Sequence, residues 1–422
     1  MPQAHDIVPS APRSPYRVLL PLGVAVCLSL FGDLTLFAVL VTQLEVVGIT
    51  LAAAGIMLGI HRLIRIPGNP LAGLLFDRWG RRPLFILGMI CAVLSTASYG
   101  LVRGFWPFLT ARLLWGLAWI LINVGGLTMV LDISTNANRG RIAGFYNSWM
   151  LAGLALGPLV GGFLVDGLGF RTALRLCAGL TALGLAVALF ALPEARPARR
   201  ERPHSPALSL QAGSVLRATA FLRANPGLLS AAGLYLITQF AGEGLVLSTV
   251  SLLLQQHYGA GVPLGALALR TASAAGLLLA LRSLLAGLVG PLAGHGSDRR
   301  LGRRAVVVGS LLAGIAAFGT LAAADSLLPI VLGIVLSAVS GGAAMATLAA
   351  CAGDLSPPGR QGAVIGVYAM AGDMGSASAP FLAFGLLSVL DLQWVYLLCA
   401  LLFVAGLALL PGIPARQAVT GG

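Results

Sequence analysis

The chain has 422 residues, 58% of them hydrophobic and 10% charged, with a mean hydropathy of +0.92. No water-soluble fold with a polar surface carries that composition, so the bulk of the chain belongs in lipid. The formal net charge is +13 and all 27 residues of the Lys+Arg total are arginine, which excludes a Walker A loop and Schiff-base chemistry, since both need a lysine amine.

A helix needs about 20 apolar residues to cross a hydrocarbon core of about 30 Å. Runs of that length between charged or Pro/Gly-rich breaks predict twelve spans, at roughly 18–41, 49–75, 83–102, 107–131, 142–165, 172–192, 228–254, 264–294, 304–324, 327–352, 362–389 and 394–411. The first run is too long for a signal-peptide core and is read as a retained helix. An even number of spans puts both termini on one side. Arg13, Arg17, the 78–82 and 299–304 clusters, Arg139, Arg141, the 196–202 run, Arg360 and Arg416 fall in the tails or in alternate connections. The opposite connections hold chiefly Arg103, Arg171 and Arg175. The positive-inside rule then places both termini in the cytoplasm of a multi-pass protein, expected in a bacterial inner membrane, and removes nucleic acid as an expected partner. Cys27, Cys91, Cys177, Cys351 and Cys399 stand singly inside apolar spans. They read as small core residues, and neither a metal site nor a cofactor is expected.

The segment 193–226 is rich in Pro, Arg and Ser and divides an N-terminal six-helix bundle, 1–192, from a C-terminal one, 227–422. The halves repeat at an offset of 221–222 residues. Pro70-Leu71-Ala72-Gly73 recurs as Pro291-Leu292-Ala293-Gly294, Asp77-Arg78 as Asp298-Arg299, and Asp132 as Asp354. Six spans per half give both copies the same topology, a parallel repeat about an axis along the membrane normal.

After span two the chain reads Gly73, Asp77, Arg78, Gly80, Arg81 and Arg82, with a degenerate copy around Asp298 and Arg299. Span five carries Gly144, Gly153, Gly157-Pro158 and Gly161-Gly162, and span four opens on Arg112 followed by Gly116. These motifs resemble those of the major facilitator superfamily, and the span-five spacing is similar to that of its 12-helix drug:proton antiporters. The resemblance covers essentially the whole chain. It implies an all-α membrane fold of two six-helix bundles, a monomer without cofactor, and Gly73, Asp77, Arg78, Gly80, Arg81, Arg82, Gly153, Gly157, Pro158, Gly161, Gly162, Asp298 and Arg299 as gating residues. The glycines are expected to permit close helix contact, and Pro158 to remove one intrahelical hydrogen bond and make span five bendable.

Charges inside a bilayer cost about 2.5–3.5 kcal/mol each on insertion scales, so each needs a partner or an aqueous cavity. Asp33, His61, Arg62, Arg65, Arg112, Glu243, Arg282 and Asp373 all fall inside predicted spans. Arg62, Arg65 and Asn69 share one helical face, as do Tyr235, Gln239 and Glu243, and as do Arg112, Trp119 and Asn123. Asp33, Glu243, Asp373 and Arg112 are the candidates for proton coupling. His61, Arg62, Arg65, Asn69, Trp119, Asn123, Tyr235, Gln239 and Arg282 are the candidates for a substrate cavity. The competing readings are structural ion pairs, such as Asp33 with Arg62 or Arg65, and an Arg112 that snorkels outward from about one turn below the outer surface. The functional expectation is a secondary transporter, not an enzyme, that couples protons to export of small amphipathic molecules by alternating access. The alternative is an importer or facilitator of a small organic anion or zwitterion.

Overall fold

In the computed structural model the described residues are 14–135, 138–193, 225–264, 267–356 and 361–414, with the side chains of Asp77, Leu264, Leu267, Arg300 and residues 361–363 outside the description. Lipid offers backbone groups no hydrogen-bond partner, so each apolar run satisfies its own N–H and C=O groups as a helix. Eleven spanning helices are apolar over most of their length: α1 (Tyr16–Val47), α2 (Leu51–Phe76), α3 (Arg81–Tyr99), α4 (Phe105–Ile133), α5 (Arg139–Leu168), α6 (Phe170–Ala191), α7 (Pro226–Tyr258), α8 (Thr271–Arg299), α9 (Arg303–Ala322), α10 (Leu327–Asp354) and α12 (Leu392–Gly412). Helix α11 (Gln361–Leu386) has 26 residues, enough to span, but Gly, Ser, Ala and Asp373 make it less apolar. The protein is thus a nearly all-helical, multi-pass membrane protein of two six-helix bundles. Large side chains such as Phe190, 90% exposed, lie on the rim where lipid would cover them.

One expectation changes. Span eight does not start at 264. Residues Gly261–Leu264 and Leu267–Arg270 form a short antiparallel hairpin, pairing Gly261 with Arg270 and Val262 with Leu269, and the helix starts at Thr271. Apolar residues alone cannot separate a strand from a helix start, and Pro263, which lacks a donor, fits the edge of this two-stranded ribbon. The expected linker 193–226 falls almost wholly outside the described residues.

The repeat is visible as geometry. In the first bundle the Arg81 guanidinium at the start of α3 donates to Asp132 at the end of α4, Nε to Oδ2 at 3.1 Å. In the second, Arg303 at the start of α9 donates to Asp354 at the end of α10, Nε to Oδ2 at 3.0 Å. Both arginines are almost fully buried. The glycine before each has a positive φ, Gly80 at 87° and Gly302 at 78°, with ψ of 171° and 158°, a region in effect open only to glycine. The tight turn aims each arginine back into its bundle.

The bundles meet along two seams. Helix α2 packs on α11, where a Cβ added at Gly55 would lie 2.6 Å from the Pro380 carbonyl and one at Gly59 2.6 Å from that of Ala377. Helix α5 packs on α8, with Gly162 against the Ala272 carbonyl and Gly276 against that of Pro158. All these contacts lie towards the face where α1 ends and α2 begins, remote from the termini. Asp166, at the end of α5, reinforces them. Its Oδ2 accepts from both the backbone N–H and the Oγ of Ser273, each at 2.6 Å, and Arg270 donates to its backbone carbonyl. A carboxylate of one bundle therefore caps the positive N-terminal end of α8 in the other.

Candidate functional site

The buried charges expected from the sequence resolve into three ion pairs and one residue left over. The first lies inside the N-terminal bundle. Arg112 of α4 is fully buried and donates from Nη1 to Asp33 Oδ1 of α1 at 2.5 Å and to the Tyr99 hydroxyl of α3 at 3.3 Å. Its Nε donates to the Met57 carbonyl at 2.7 Å. Its Nη2 lies 2.6 Å from His61 Nδ1. Arginine has no acceptor to offer, so Nδ1 must be the acceptor, and His61 is the neutral tautomer with its proton on Nε2. Ser95 Oγ donates to the Ala111 carbonyl at 2.7 Å and lies 2.9 Å from the Tyr99 hydroxyl, which fixes the phenol. The Phe37 ring packs beside the cluster, its centroid 5.9 Å from the Arg112 guanidinium.

Arg112 accordingly does not snorkel, and Asp33 pairs with neither Arg62 nor Arg65. The reason is spatial. Helices α1, α2 and α3 supply four acceptors around the fully buried Arg112, two of them, the Met57 carbonyl and His61, from α2.

The second pair joins the bundles: Arg65 Nη2 of α2 donates to Asp373 Oδ1 of α11 at 2.8 Å. The third lies within the C-terminal bundle, Arg282 Nη1 of α8 to Glu243 Oε1 of α7 at 3.0 Å. Glu243 sits in a π-helical turn, Phe240–Val246, of a kind that often marks functional sites. Gly242 in that turn leaves the room that the Arg282 guanidinium occupies. The Glu243 side chain is 33% exposed, yet Ala241, Gly242, Gly244 and Leu245 around it are buried.

Arg62 is the residue left over. It is 8% exposed, its guanidinium lies 5.3 Å from the Phe37 centroid, and among the described residues it makes no ion pair and no side-chain hydrogen bond. Asn69, one turn beyond Arg65, has a buried Oδ1 without a partner, as do the buried Nε atoms of Arg65 and Arg282. Tyr235 stacks on Tyr368 of α11, centroids 4.1 Å apart at 12°. Trp119 stacks on Trp115 at 6.1 Å, and Asn123 and Gln239 are half-buried.

The gating candidates separate. Gly153, Gly157 and Gly161 face α1 of their own bundle: a Cβ at Gly153 would lie 2.9 Å from the Cys27 carbonyl, one at Gly157 3.0 Å from Leu34 Cβ, and Gly161 abuts Thr35. Of the span-five glycines, Gly162 reaches the other bundle, as does the carbonyl of Pro158. Gly73 corrects the expectation of close contact, because a Cβ added there would meet nothing within 4 Å. In that loop Gly80 carries the conformational demand. Arg82 Nη2 donates to the Leu189 carbonyl of α6 at 2.6 Å, while Arg78, Asp298 and Arg299 are exposed. Asp298 meets Arg303 at 2.6 Å, and the Asp77 side chain lies outside the description.

Sequence reasoning missed Tyr99, Phe37, Asp166 and Ser273. Tyr99 and Asp166 stand alone at helix ends and give no pattern to read. The Arg81–Asp132 and Arg303–Asp354 pairs were within reach, since both members of each pair repeat at the same offset.

The family model described as Major Facilitator Superfamily matches residues 22–270 and 241–420. The chain belongs to the major facilitator superfamily. Among curated relatives, this facilitator is similar to Multidrug resistance protein 1 of Bacillus subtilis (strain 168), 26% identical over 114 residues, 27% of this chain and 29% of the relative. It is also similar to Tetracycline resistance protein, class E, of Escherichia coli, 27% identical over 146 residues, 35% of this chain and 36% of the relative. The matches thus span about a third of those relatives' length. Among solved structures, it is similar to a bacterial homologue of the human lysosomal transporter Spinster in an inward-facing, occupied conformation. There the TM-score is 0.74 at 16% identity, over 94% of this chain and 97% of that one, a likeness of fold. Members of this superfamily are transporters of small molecules and not enzymes, and this chain is one of them.

Proposed function

We propose that this facilitator is a proton-coupled exporter of small amphipathic molecules, working by alternating access of a site between its bundles in a bacterial inner membrane, with both termini cytoplasmic. The carrying observation is the Asp33–Arg112–His61–Tyr99 cluster. It places an ionisable carboxylate against a guanidinium that cannot lose its proton, in a dry site spanning α1, α2, α3 and α4. When Asp33 binds a proton the ion pair loses its attraction, and Arg112 keeps only neutral acceptors. Because α1 and α2 also border the seam, that local change biases how the bundles sit against each other. The contacts at Gly55, Gly59, Gly162, Gly276 and Asp166 close the face remote from the termini. With cytoplasmic termini this is an inward-facing arrangement, and rocking about the seams would open that face. Glu243 and Asp373, each held by an arginine, are further groups for proton exchange. The drug-resistance names of the similar proteins support the export reading.

The test is efflux from proteoliposomes driven by an imposed pH gradient. Asp33→Asn should abolish gradient-driven flux while exchange of substrate across the membrane persists. Gradient-driven flux that survives in Asp33→Asn, Glu243→Gln and Asp373→Asn alike would remove the coupling assignment.

A further inference from the structure

Charge at the seam does not balance. Arg62, Arg65 and Arg282 face the contact of α2, α7, α8 and α11, with Glu243 and Asp373 as their carboxylates; Asp33 is taken by Arg112 inside the first bundle. Two pairs form and Arg62 remains. The charges acting on it are those of Arg65, Glu243, Asp33 and Asp373, and each of those carboxylates already bonds another arginine. An arginine cannot relieve the cost of burial by deprotonating, and a face-on aromatic ring compensates only part of it. The unpartnered Nε atoms of Arg65 and Arg282 add two further unmet donors nearby in the chain's polar layer. Arg62 lies on the seam face of α2. Gly59, three residues before it, touches α11, Arg65, three residues after it, bonds α11, and Leu63 on the other side is exposed to the rim.

We infer that the Arg62 guanidinium is the docking point for a negatively charged group of the transported molecule, so that the substrate class is a small amphipathic monoanion such as an aromatic carboxylate. The planar fork of an arginine matches a carboxylate in bidentate fashion. The half-buried Tyr235 ring, stacked on Tyr368, supplies a flat apolar surface for the rest of such a molecule, while the fully buried Phe37 ring holds the guanidinium from beneath. Bound this way, the anion neutralises a buried charge that the described residues leave without an ion-pair partner. The inference rests on the reading of the seam as the transport site and is independent of proton coupling and of direction.

The experiment is ligand-dependent thermal stability of the full-length protein in neutral detergent and chloride-free buffer, with no gradient present. The probes are 1-naphthoate, its neutral amide 1-naphthamide, the cation 1-naphthylmethylammonium, and chloride. Naphthoate should stabilise and the amide and cation should not. In Arg62→Gln the apparent affinity for naphthoate should fall about 10- to 100-fold, the worth of a charged hydrogen bond. Arg62→Lys should fall between the two, because it keeps the charge and loses the fork. Arg62→Gln removes an unpaired buried charge, so the variant itself should be at least as stable as the parent. Equal stabilisation by naphthoate and the amide, or undiminished naphthoate binding in Arg62→Gln, overturns the proposal. So does a chloride response equal to that of naphthoate, which would mark an inorganic anion site. Any of these leaves a pH-driven flux that needs Asp33 standing. Conversely, loss of that coupling with intact naphthoate binding defeats the coupling assignment alone.

Discussion

Replacing Asp33 by Asn keeps the shape of the buried cluster and removes its only anion. At 2.5 Å the Arg112–Asp33 attraction is about 7 kcal/mol for an effective dielectric of 20. Desolvating the two ions costs several kcal/mol each, so the net worth of the pair is far below that figure. What can be measured is the effect of orphaning one partner, about 3–5 kcal/mol for a buried pair. Asp33→Asn should reach this range, since Arg112 stays charged with Met57, Tyr99 and His61 as its remaining partners. The double variant Asp33→Asn/Arg112→Gln buries no charge there and should be more stable than the sum of the single changes by about 2–3 kcal/mol. Denaturant unfolding of the purified protein in detergent reads both. A stable Asp33→Asn, or double-variant losses that simply add, would refute the reasoning.

Gly276→Val puts branched carbons against the Pro158 carbonyl, which cannot rotate away; the α5–α8 seam should loosen, seen as faster labelling of a cysteine at Ser273 by a membrane-impermeant maleimide. Asp166→Asn leaves a hydrogen-bond acceptor but removes the charge from the N-terminus of α8. At about 0.3–2 kcal/mol for that charge, the closed face should lose population by roughly 2- to 30-fold, measured as a longer distance between spin labels at Leu168 and Ala268. Gly80→Ala forces a side chain into a φ of 87° and should cost about 1–3 kcal/mol, with lowered unfolding midpoint and lowered transport.

Much of this protein was legible along the chain because lipid is a severe solvent. Without water, every apolar run must become a helix, so counting runs of about 20 residues yields the twelve spans, and the repeat at 221–222 residues yields two bundles of like topology. Charged residues are costly in lipid, so Asp33, Arg62, Arg65, Arg112, Glu243, Arg282 and Asp373 stood out by position alone. Boundaries were less legible where the chain leaves the membrane: residues 261–264 and 267–270 are apolar enough to extend span eight and pair as two strands instead.

What the helix sequences did not determine was pairing. Asp33 can reach several arginines by helical spacing, and it bonds Arg112 because α1 and α4 face each other inside one bundle, while Arg65 bonds α11 and Arg62 lies over the Phe37 ring. A carboxylate's partner depends on crossing points between helices far apart in sequence, 79 residues for this pair and 308 for Arg65 and Asp373. The same holds for the capping of α8 by Asp166, for the division of the span-five glycines between α1 and α8, and for the isolation of Arg62. Solvent chemistry along the chain selects the elements; only their packing decides which buried charge is left without a partner.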